Sequence, residues 1–275
     1  MTALGCSITG CWASDWPPPS FITCPRSMRP LIMNAAIHKP TVKTPWCSVI
    51  IPVLNEASIL KQQIRTLSDT LPATGIEIIL VDGGSDDDTF RIAGALGCRI
   101  IASARGRARQ MNTGAAHARG SYLYFLHLDT SPPSDWVKIL FSAIQEETHP
   151  LTFRLRFSGQ EDSPLLRFYS WCSQFDVDAF RYGDQSLLVR REDFLAVGGF
   201  REDHRLMEGH DLIRRLRRRT GRLTVHPAAV TTSSRRYVEY GVVFTQAIFT
   251  LIYLLYRVGV PQRQLAAIHN WAFRR

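Results

Sequence analysis

The stretch Ile76-Glu-Ile-Ile-Leu-Val-Asp-Gly-Gly-Ser-Asp86 decides the fold of this 275-residue chain. It is an apolar, strand-like run that ends in a polar turn with two glycines. Two further apolar runs, residues 47–51 and 122–126, end in the same way, in Pro52-Val-Leu-Asn55-Glu56 and in His127-Leu128-Asp129-Thr130. In an open parallel sheet, ligands bind at the edge where the carboxyl ends of the strands meet. The three turns therefore predict a binding site at one edge of a sheet.

Helical patterns separate the apolar runs. They cover residues 56–71, 87–96 and 108–118, and this alternation predicts an α/β fold, with a Rossmann-like, mostly parallel sheet covered on both faces. A further helix is expected at residues 135–147, with Ser134 as its N-cap. Residues 151–157 alternate apolar with polar or basic side chains, which predicts a half-exposed, antiparallel strand as an extension of the sheet.

Composition divides the chain into three parts. Residues 1–44 are rich in proline and show no sustained period, so we expect a poorly ordered tail. Residues 45–236 carry the α/β domain. Residues 237–275 contain the apolar stretch 242–256 between basic residues, and we expect a helical, membrane-associating segment there. An ordinary buried helix and a membrane span are the alternatives, although the stretch is shorter than the roughly 20 apolar residues that cross a bilayer.

The net charge of +9 comes entirely from the last 75 residues. Residues 201–275 contain 14 Arg against five acids, whereas residues 1–200 balance at 19 against 19. Such a region fits anionic lipid head groups or an anionic substrate, and we expect no nucleic acid partner. Alternatively, residues 211–219 form an amphipathic helix with a solvated basic face. The six cysteines show no C-x-x-C pair and no metal-ligand spacing, which is typical of a protein in a reducing cytosol.

Two carboxylates carry much of the expected binding chemistry. Asp82, just beyond a strand, is placed to accept hydrogen bonds from a base edge or a ribose hydroxyl, and Gly83 lets the backbone approach a flat ring. Alternatively, Asp82 caps the following helix. Asp129 is a suitable ligand for Mg²⁺ or Mn²⁺, which take oxygen donors and share them with phosphate. His127 adds a nitrogen ligand if the metal is Mn²⁺; otherwise it is a hydrogen-bonded structural residue.

Taken together, the motifs resemble those of a bacterial branch of the family 2 glycosyltransferases, which have the GT-A fold. The resemblance spans residues 46 to about 236 and rests on pieces that read P-x-x-N-E, V-D-G-G-S-x-D, G-R-A-x-Q-x-N, F-L-H-x-D-T and Y-G-D-Q. It implies an inverting transferase that uses a UDP-, GDP- or dTDP-sugar, with Asp129 on the metal and the diphosphate. The donor-binding residues implied are Pro52, Asn55, Glu56, Asp82, Gly83, Arg105, Arg107 and Arg109, and the acceptor side is formed by Tyr182, Asp184 and Gln185. For the three Arg, a surface turn leading into a helix is the alternative.

The chain departs from the family pattern at two places. His127-Leu128-Asp129 stands where a D-x-D is usual, which weakens the expectation of tight metal binding. Gly209 occupies the position of the aspartate that serves the family as catalytic base. We therefore expect Glu208 or Asp211 to be the base, since residues three apart share a helix face. Alternatively, both acids only offset the positive end of the helix, and the enzyme is impaired or inactive.

The sequence thus predicts metal-assisted transfer of a hexose from a nucleotide sugar to an acceptor hydroxyl or carboxylate. The expected acceptor is lipid-like or a cell-envelope glycan, met at the inner face of the cell membrane by a cytoplasmic, peripheral protein. A non-catalytic scaffold or sensor that binds sugar nucleotides at the membrane is the alternative. A dinucleotide oxidoreductase is disfavoured because no G-x-G-x-x-G follows the first strand, and the P-loop motif is absent.

Overall fold

The computed structural model describes residues 44–71, 75–159, 163–181 and 183–273. The expected tail, residues 1–44, lies outside these ranges apart from Thr44. Strands and helices alternate along the described part in the following order: β1 Cys47–Val53, α1 Ala57–Asp69, β2 Ile76–Asp82, α2 Thr89–Ala95, β3 Arg99–Ala102, α3 Arg107–His117, β4 Tyr122–Phe125, β5 Thr130–Ser131, α4 Trp136–Gln145, β6 Leu151–Phe157, α5 Pro164–Cys172, β7 Leu187–Arg190, α6 Arg191–Ala196, α7 Glu208–Thr220, β8 Thr224–Thr232, α8 Arg235–Tyr240, α9 Val242–Arg257 and α10 Gln262–Ala272. The predicted helices of the first half are confirmed, with ends that differ by one or two residues.

The strands form one mixed sheet in the order β3-β2-β1-β4-β7-β6-β8-β5. The first four in this order are parallel, as the alternation predicted. Strand β7 then runs antiparallel to β4. The carboxyl ends of β1, β2 and β4 consequently meet at one edge, which is where the motif turns follow them.

The sheet is covered on both faces, and β1 shows why. Its residues alternate between two apolar clusters: Val49 and Ile51 pack with α1 and α4, whereas Ile50 packs with α3 and α7. All three are fully or almost fully buried. Burying an aliphatic side chain of this size stabilises the fold by about 1.5–3 kcal/mol. Because both faces of the strand are buried, its sequence is an almost continuous apolar run.

Helix α3 lies unusually close to the sheet. A Cβ atom added at Gly114 would lie 2.4 Å from Cγ2 of Ile50 and 3.0 Å from Cγ2 of Val81. Only a glycine fits between this helix and these two strands. The close packing fixes the amino end of α3, which begins at Arg107, relative to the carboxyl ends of β1 and β2.

A buried carboxylate ties the opposite edge of the sheet together. Glu77 accepts hydrogen bonds from Ser48 Oγ at 2.7 Å, from the backbone N–H of Arg119 at 2.6 Å and from Arg99 Nη1 at 2.7 Å. Burial alone would raise the pKa of Glu77, but these hydrogen bonds and the charges of Arg99 and Arg119 hold it below its usual value. The network lies away from the motif turns and serves the stability of the sheet.

Two expectations about the second half of the domain are wrong. Ser134 does not cap α4: the N-cap is Asp135, which makes no side-chain capping bond, and the helix start is held instead by Trp136 Nε1, which donates to Thr70 Oγ1 at 2.8 Å. Strand β6 is mostly buried, with only Arg156 exposed, and its main pairing is parallel, with β8 along its whole length. It pairs antiparallel with β7 only at Leu151 and Leu188.

The last three helices form a small cluster of their own around Ile248, Ile252, Leu265 and Phe273. Helix α9 turns a second face outward, and that face is also apolar. Its most exposed members are Val243 at 72% and Leu254 at 55% of full exposure, and Val258, directly after the last residue of the helix, is 77% exposed. Within the described ranges, no helix has the length and hydropathy that crossing a membrane requires.

Candidate active site at the carboxyl edge of the sheet

The turns after β1 and β2 are joined into one rim. Asn55 Oδ1 accepts a hydrogen bond from the backbone N–H of Asp86 at 2.8 Å, and the Asn55 N–H donates to Ser85 Oγ at 3.0 Å. The Glu56 N–H donates to Thr89 Oγ1 at 2.7 Å. Asn55 has a positive φ of 55°, a conformation that Asn tolerates better than most residues. The paired turns form a preformed wall beside the end of β1.

Asp82 organises the second of these turns. It is 4% exposed, and its Oδ2 accepts from the N–H groups of Gly84 at 3.0 Å and Ser85 at 3.1 Å, while its Oδ1 accepts from Ser85 Oγ at 2.5 Å. It does not cap the following helix, because α2 begins seven residues later, at Thr89. The structure therefore shows Asp82 holding its own turn in shape. Any contact with a nucleoside would use the remaining lone pairs of the carboxylate.

Gln110 supports the rim from below, and the sequence analysis missed it. This residue of α3 is 4% exposed, and its Nε2 donates to the carbonyl oxygens of Val53 and Val81, both at 2.8 Å. These two hydrogen bonds link the carboxyl ends of β1 and β2. A Cβ added at Gly83 would lie 2.9 Å from Gln110 Cδ, so the glycine leaves room for this amide. The available signal was the G-R-A-x-Q-x-N motif itself, in which Gln110 is a fixed letter.

The three candidate Arg residues occupy different places. Arg107 opens α3, and its Nη1 lies 3.5 Å from Glu208 Oε1, with about half of the side chain exposed. Partial burial opposes the charge of Arg107, yet its pKa is raised by carboxylates nearby; these are Glu208, Asp184 and Asp129. Arg109 Nε lies 3.5 Å from Glu202 Oε2 on the protein surface, and Arg105 is exposed. The structure thus brings Arg107, and not all three, to the centre of the site.

His127 and Asp184 form a pair across the sheet edge. His127 Nδ1 lies 3.0 Å from Asp184 Oδ1, and the imidazole is almost completely buried. Burial would raise the pKa of Asp184, but the bond to His127 and the charges of His127, Arg107 and Arg236 lower it to about 2. Because Nδ1 of His127 faces Asp184, its Nε2 is the nitrogen left for a metal. Gln185 is buried and donates to the carbonyl oxygen of Ser173 at 3.2 Å, and Tyr182 lies outside the described residues.

Asp129 and His127 are the two residues expected to hold a metal ion. Among the residues that the structure describes, no three His, Cys, Asp or Glu side chains come together to hold a metal ion. Asp129 is partly buried and lies two residues beyond His127. One carboxylate and one imidazole nitrogen suit a hard cation that takes its remaining ligands from a bound diphosphate and water. The residues present therefore fit a divalent cation that binds together with a phosphate-bearing ligand.

A solvent-open pocket lies where α7 begins, with about 480 Å³ of empty space that includes solvent at its mouth, and we call it the α7 cavity. It is lined by Met111, Phe125, His127, Arg181, Gly183, Ser186, Leu187, Phe200, Glu208, Gly209, His210 and Ile213. Glu208 thus reaches the cavity. Asp211 is absent from the lining, and its Oδ2 lies 2.7 Å from Arg215 Nη2. Burial lowers the pKa of His210 to about 4, against the opposing charge of Asp178.

The family model described as glycosyl transferase family 2 matches residues 48–193, which is just over half of the chain. The chain belongs to glycosyl transferase family 2. This confirms the family that the motifs indicated. The matched range contains the two turns after β1 and β2, Arg107, the His127–Asp184 pair and Asp129, and it ends before α7.

Similar proteins agree with this assignment. The chain is 35% identical over 106 residues to the glycosyltransferase AglE of Haloferax volcanii, an alignment that covers 36% of this chain and 35% of that protein. It is 26% identical over 207 residues to the pre-mycofactocin glycosyltransferase of Mycobacterium tuberculosis, with 69% of this chain and 43% of that protein covered. The chain thus spans less than half the length of these two relatives.

A solved structure shares the fold. The mannosyltransferase PcManGT from Pyrobaculum calidifontis, solved in complex with GDP-Man and Mn²⁺, superposes with a TM-score of 0.61. The match covers 84% of this chain and 70% of that one at 16% identity. The expected GT-A fold is confirmed, and at this identity the likeness shows the fold alone.

The structure brings together a subset of the residues expected to form the site of this family 2 glycosyltransferase. Arg107 lies 3.5 Å from Glu208, and the charges of Glu208, Asp184 and Asp129 together raise its pKa. Asp211 joins instead a separate ion-pair group with Arg215, at 2.7 Å, and Arg201, at 3.8 Å. Of the two candidate bases, Glu208 is the one at the cavity.

Proposed function

We propose that this chain transfers a hexose, with inversion, from a nucleotide sugar to an oxygen of a lipid-like or cell-envelope acceptor. The observation that carries the proposal is the position of Arg107. Its Nη1 lies 3.5 Å from Glu208 Oε1, in the wall of the α7 cavity, and the charges of Asp184 and Asp129 raise the pKa of Arg107 as well. A donor diphosphate and an acceptor oxygen that meet at this point would have the anomeric carbon between them.

The rim formed by the turns after β1 and β2, here called the donor rim, supports nucleoside binding. It carries Asn55 and Glu56 on one turn and Asp82 and Gly83 on the other, and hydrogen bonds fix both turns. Pro52 lies in β1, just before the first of these turns. A preformed binding surface loses less conformational entropy on binding than a mobile one, so it binds its ligand more tightly.

The first turn of α3 supports diphosphate binding. The helix begins at Arg107 and runs for 11 residues, and its first N–H groups and dipole favour an anion. Arg107 adds a full positive charge, and Arg105 and Arg109 increase the positive potential from the surface. Asp129, with Nε2 of His127, would hold Mg²⁺ or Mn²⁺ against the same diphosphate; such a cation neutralises the negative charge that develops on the leaving group.

The acceptor is placed in the α7 cavity, beside Gly183 and Asp184. Its oxygen would attack the anomeric carbon from the face opposite the diphosphate, and the bond from that carbon to the leaving oxygen would break with its electrons passing to the diphosphate. If the acceptor is a hydroxyl, a side chain must take its proton, and Glu208 is better placed for this than Asp211.

The outer face of α9 supports a membrane partner. Phe244, Leu251, Leu254 and Val258 recur at helical spacing on this face and are each at least 41% exposed. Arg257 is the last residue of α9, and Arg235 begins α8, the helix that precedes α9 in the chain. An apolar helix face between basic residues is typical of peripheral binding to anionic lipid, which here would be the cytoplasmic face of the cell membrane.

Vesicle flotation tests the membrane partner. We expect the full chain to float with vesicles of phosphatidylcholine containing phosphatidylglycerol and to float less with phosphatidylcholine alone. Leu251→Glu should abolish flotation. Leu195→Glu, on the exposed side of α6, is the matched control and should float like the unaltered chain. Equal flotation of both variants would refute the assigned face.

A thermal-shift panel tests donor binding. The chain is heated with UDP, GDP, dTDP or NAD, each with and without Mn²⁺. We expect one nucleoside diphosphate to raise Tm, Mn²⁺ to enlarge the shift and Asp129→Ala to remove the enlargement. Asp69→Ala, at the exposed end of α1, is the control and should keep it. A shift with NAD alone, or with none of the ligands, would overturn the proposed donor class.

A non-catalytic scaffold or sensor is the second candidate. It is favoured by Gly209 in place of the family's base and by the partial metal site at Asp129. Both candidates bind the nucleotide sugar, so turnover is the property that separates them.

A further inference from the structure

The carboxylates beside the α7 cavity are held by basic groups. Glu208 is the one carboxylic acid among the described residues that line it, and its Oε1 lies 3.5 Å from Arg107 Nη1. Asp184 is held by His127 at 3.0 Å. Glu208 is itself almost fully buried and would lose its interaction with Arg107 on taking up a proton, so it is poorly prepared to act as a base.

The remaining titratable groups of the lining do not compensate. Nδ1 of His127 is taken by Asp184, and its Nε2 is the nitrogen left for the metal. His210 has a pKa lowered to about 4 by burial, and a base this weak does not remove the proton of an alcohol efficiently at neutral pH. Arg181 is 1% exposed, and Nη2 of its guanidinium donates to the carbonyl oxygens of Ser173 and Phe175. The wall of the cavity therefore offers positive charge more readily than a proton acceptor.

Gly209 leaves open the space that a further side chain would occupy. A Cβ added there would approach only the Cα of Gly183, at 4.0 Å, which is an ordinary van der Waals contact. Gly209 belongs to the first turn of α7 and has no strained backbone angle. The cavity thus has room at this point for part of an acceptor in this chain, and for an introduced carboxylate in a variant.

We infer that the acceptor oxygen of this chain arrives already ionised, as a carboxylate or a phosphate, so that no side chain has to remove a proton during transfer. The inference rests on the proposed function and specifies its acceptor class. A carboxylate oxygen forms the new bond to the anomeric carbon, the bond from that carbon to the diphosphate breaks, and the electron pair leaves with the nucleoside diphosphate. The product is a glycosyl ester, or a glycosyl phosphate if the acceptor is a phosphate.

Three acceptors that differ only in their head group provide the test. The full chain is given the donor found by thermal shift, with Mn²⁺, and dodecanoate, dodecyl phosphate or dodecanol. We expect dodecanoate or dodecyl phosphate to exceed dodecanol in kcat/KM by about 100-fold or more, which is the usual contribution of a general base that the alcohol lacks here. Hydroxylamine should cleave the product of dodecanoate and leave that of dodecyl phosphate intact, which distinguishes the two sources of negative charge.

A matched pair of variants at Gly209 sharpens the test. Gly209→Asp places a carboxylate in the open space and should raise the rate with dodecanol by about 10-fold or more, while the rate with the anionic acceptors falls through repulsion. Gly209→Asn has the same size without the base and should leave dodecanol unreactive. Transfer by the unaltered chain to dodecanol alone, or to none of the three while the donor is bound, overturns the inference. Failure to bind any donor would instead overturn the proposed function.

Discussion

Replacing Gln110 by Met would remove the support beneath the donor rim while keeping nearly the same side-chain volume. The amide is 4% exposed and makes two hydrogen bonds of 2.8 Å, to the carbonyl oxygens of Val53 and Val81. Each bond contributes about 0.5–1.5 kcal/mol net, and a buried group left without its partner costs about 1–3 kcal/mol. The Val53 oxygen keeps its bond from the Gly83 N–H at 3.0 Å, so its cost is at the lower end.

We therefore expect Gln110→Met to lower the free energy of unfolding by about 2–3 kcal/mol. For a domain of this size, that corresponds to a fall in Tm of roughly 5–10 °C. The variant should also distort the donor rim. We therefore expect the nucleoside diphosphate to bind about 10-fold more weakly, which corresponds to a loss of about 1.4 kcal/mol in binding free energy.

Urea unfolding followed by tryptophan fluorescence measures the stability change, and calorimetric titration below the melting range measures nucleotide affinity. Ala116→Met introduces the same side chain at an exposed position of α3 and is the control. If the two variants unfold within about 0.5 kcal/mol of each other, the margin usual for surface substitutions, the structural role given to Gln110 is refuted.

Three further predictions concern the sheet and the site. The folded-state pKa of Glu77 lies below its unfolded value, so this residue stabilises the fold above the unfolded pKa and stops doing so as pH falls through the folded pKa. Glu77→Gln should therefore lower the free energy of unfolding by about 3 kcal/mol at pH 7 and flatten the loss of stability below about pH 5. Urea titrations at several pH values measure both effects. Gly114→Ala should destabilise the chain by about 1–3 kcal/mol because the added methyl group would collide with Ile50. Gly94→Ala in α2 should stabilise it by about 0.5–1 kcal/mol, since no atom lies within 4 Å of the added Cβ. Thermal melts in which both variants changed Tm in the same direction would contradict the packing of α3. Arg107→Ala should weaken the binding of the nucleoside diphosphate by about 1.5–3 kcal/mol, which is the strength of a hydrogen bond to a charged group. The affinity for the nucleoside alone should not change. An equal loss of affinity for both ligands would mean that Arg107 does not contact the phosphates.

The sequence predicted the first half of the fold well because local patterns determine it. The strands β1, β2 and β4 are buried on both faces, so each is an almost continuous apolar run, and the intervening helices have clear amphipathic periods. The orientation of β6 was wrong for a physical reason. A period of two identifies a half-exposed strand, but its main partner, β8, lies about 70 residues further along the chain, and nothing local encodes that pairing.

The residues of the candidate site could be named from the sequence, but their pairings could not. Asp129 and Arg107 were candidates because each belongs to a motif beside a strand end or a helix start. The division between Glu208, at the cavity, and Asp211, in an ion pair with Arg215, depends on where α6 and α7 pack, and spacing alone treats the two acids alike. The role of Glu77 was not predicted because nothing in its own strand indicates that it pairs with Arg99 and Arg119. Both Arg residues lie in other parts of the chain and reach Glu77 only in the folded protein.

The most direct test of sugar transfer follows the sugar itself. A donor labelled in its hexose is incubated with the full chain, Mn²⁺ and an extract of bacterial membrane lipids. The amount of nucleoside diphosphate released is then compared with the amount of label in the lipid phase. The account predicts label in a lipid product, one nucleoside diphosphate released for each labelled hexose, and loss of both in Asp129→Ala but not in Asp69→Ala. A chain that binds the donor yet leaves all label on the nucleotide would contradict the account, and the scaffold or sensor would then be the better description.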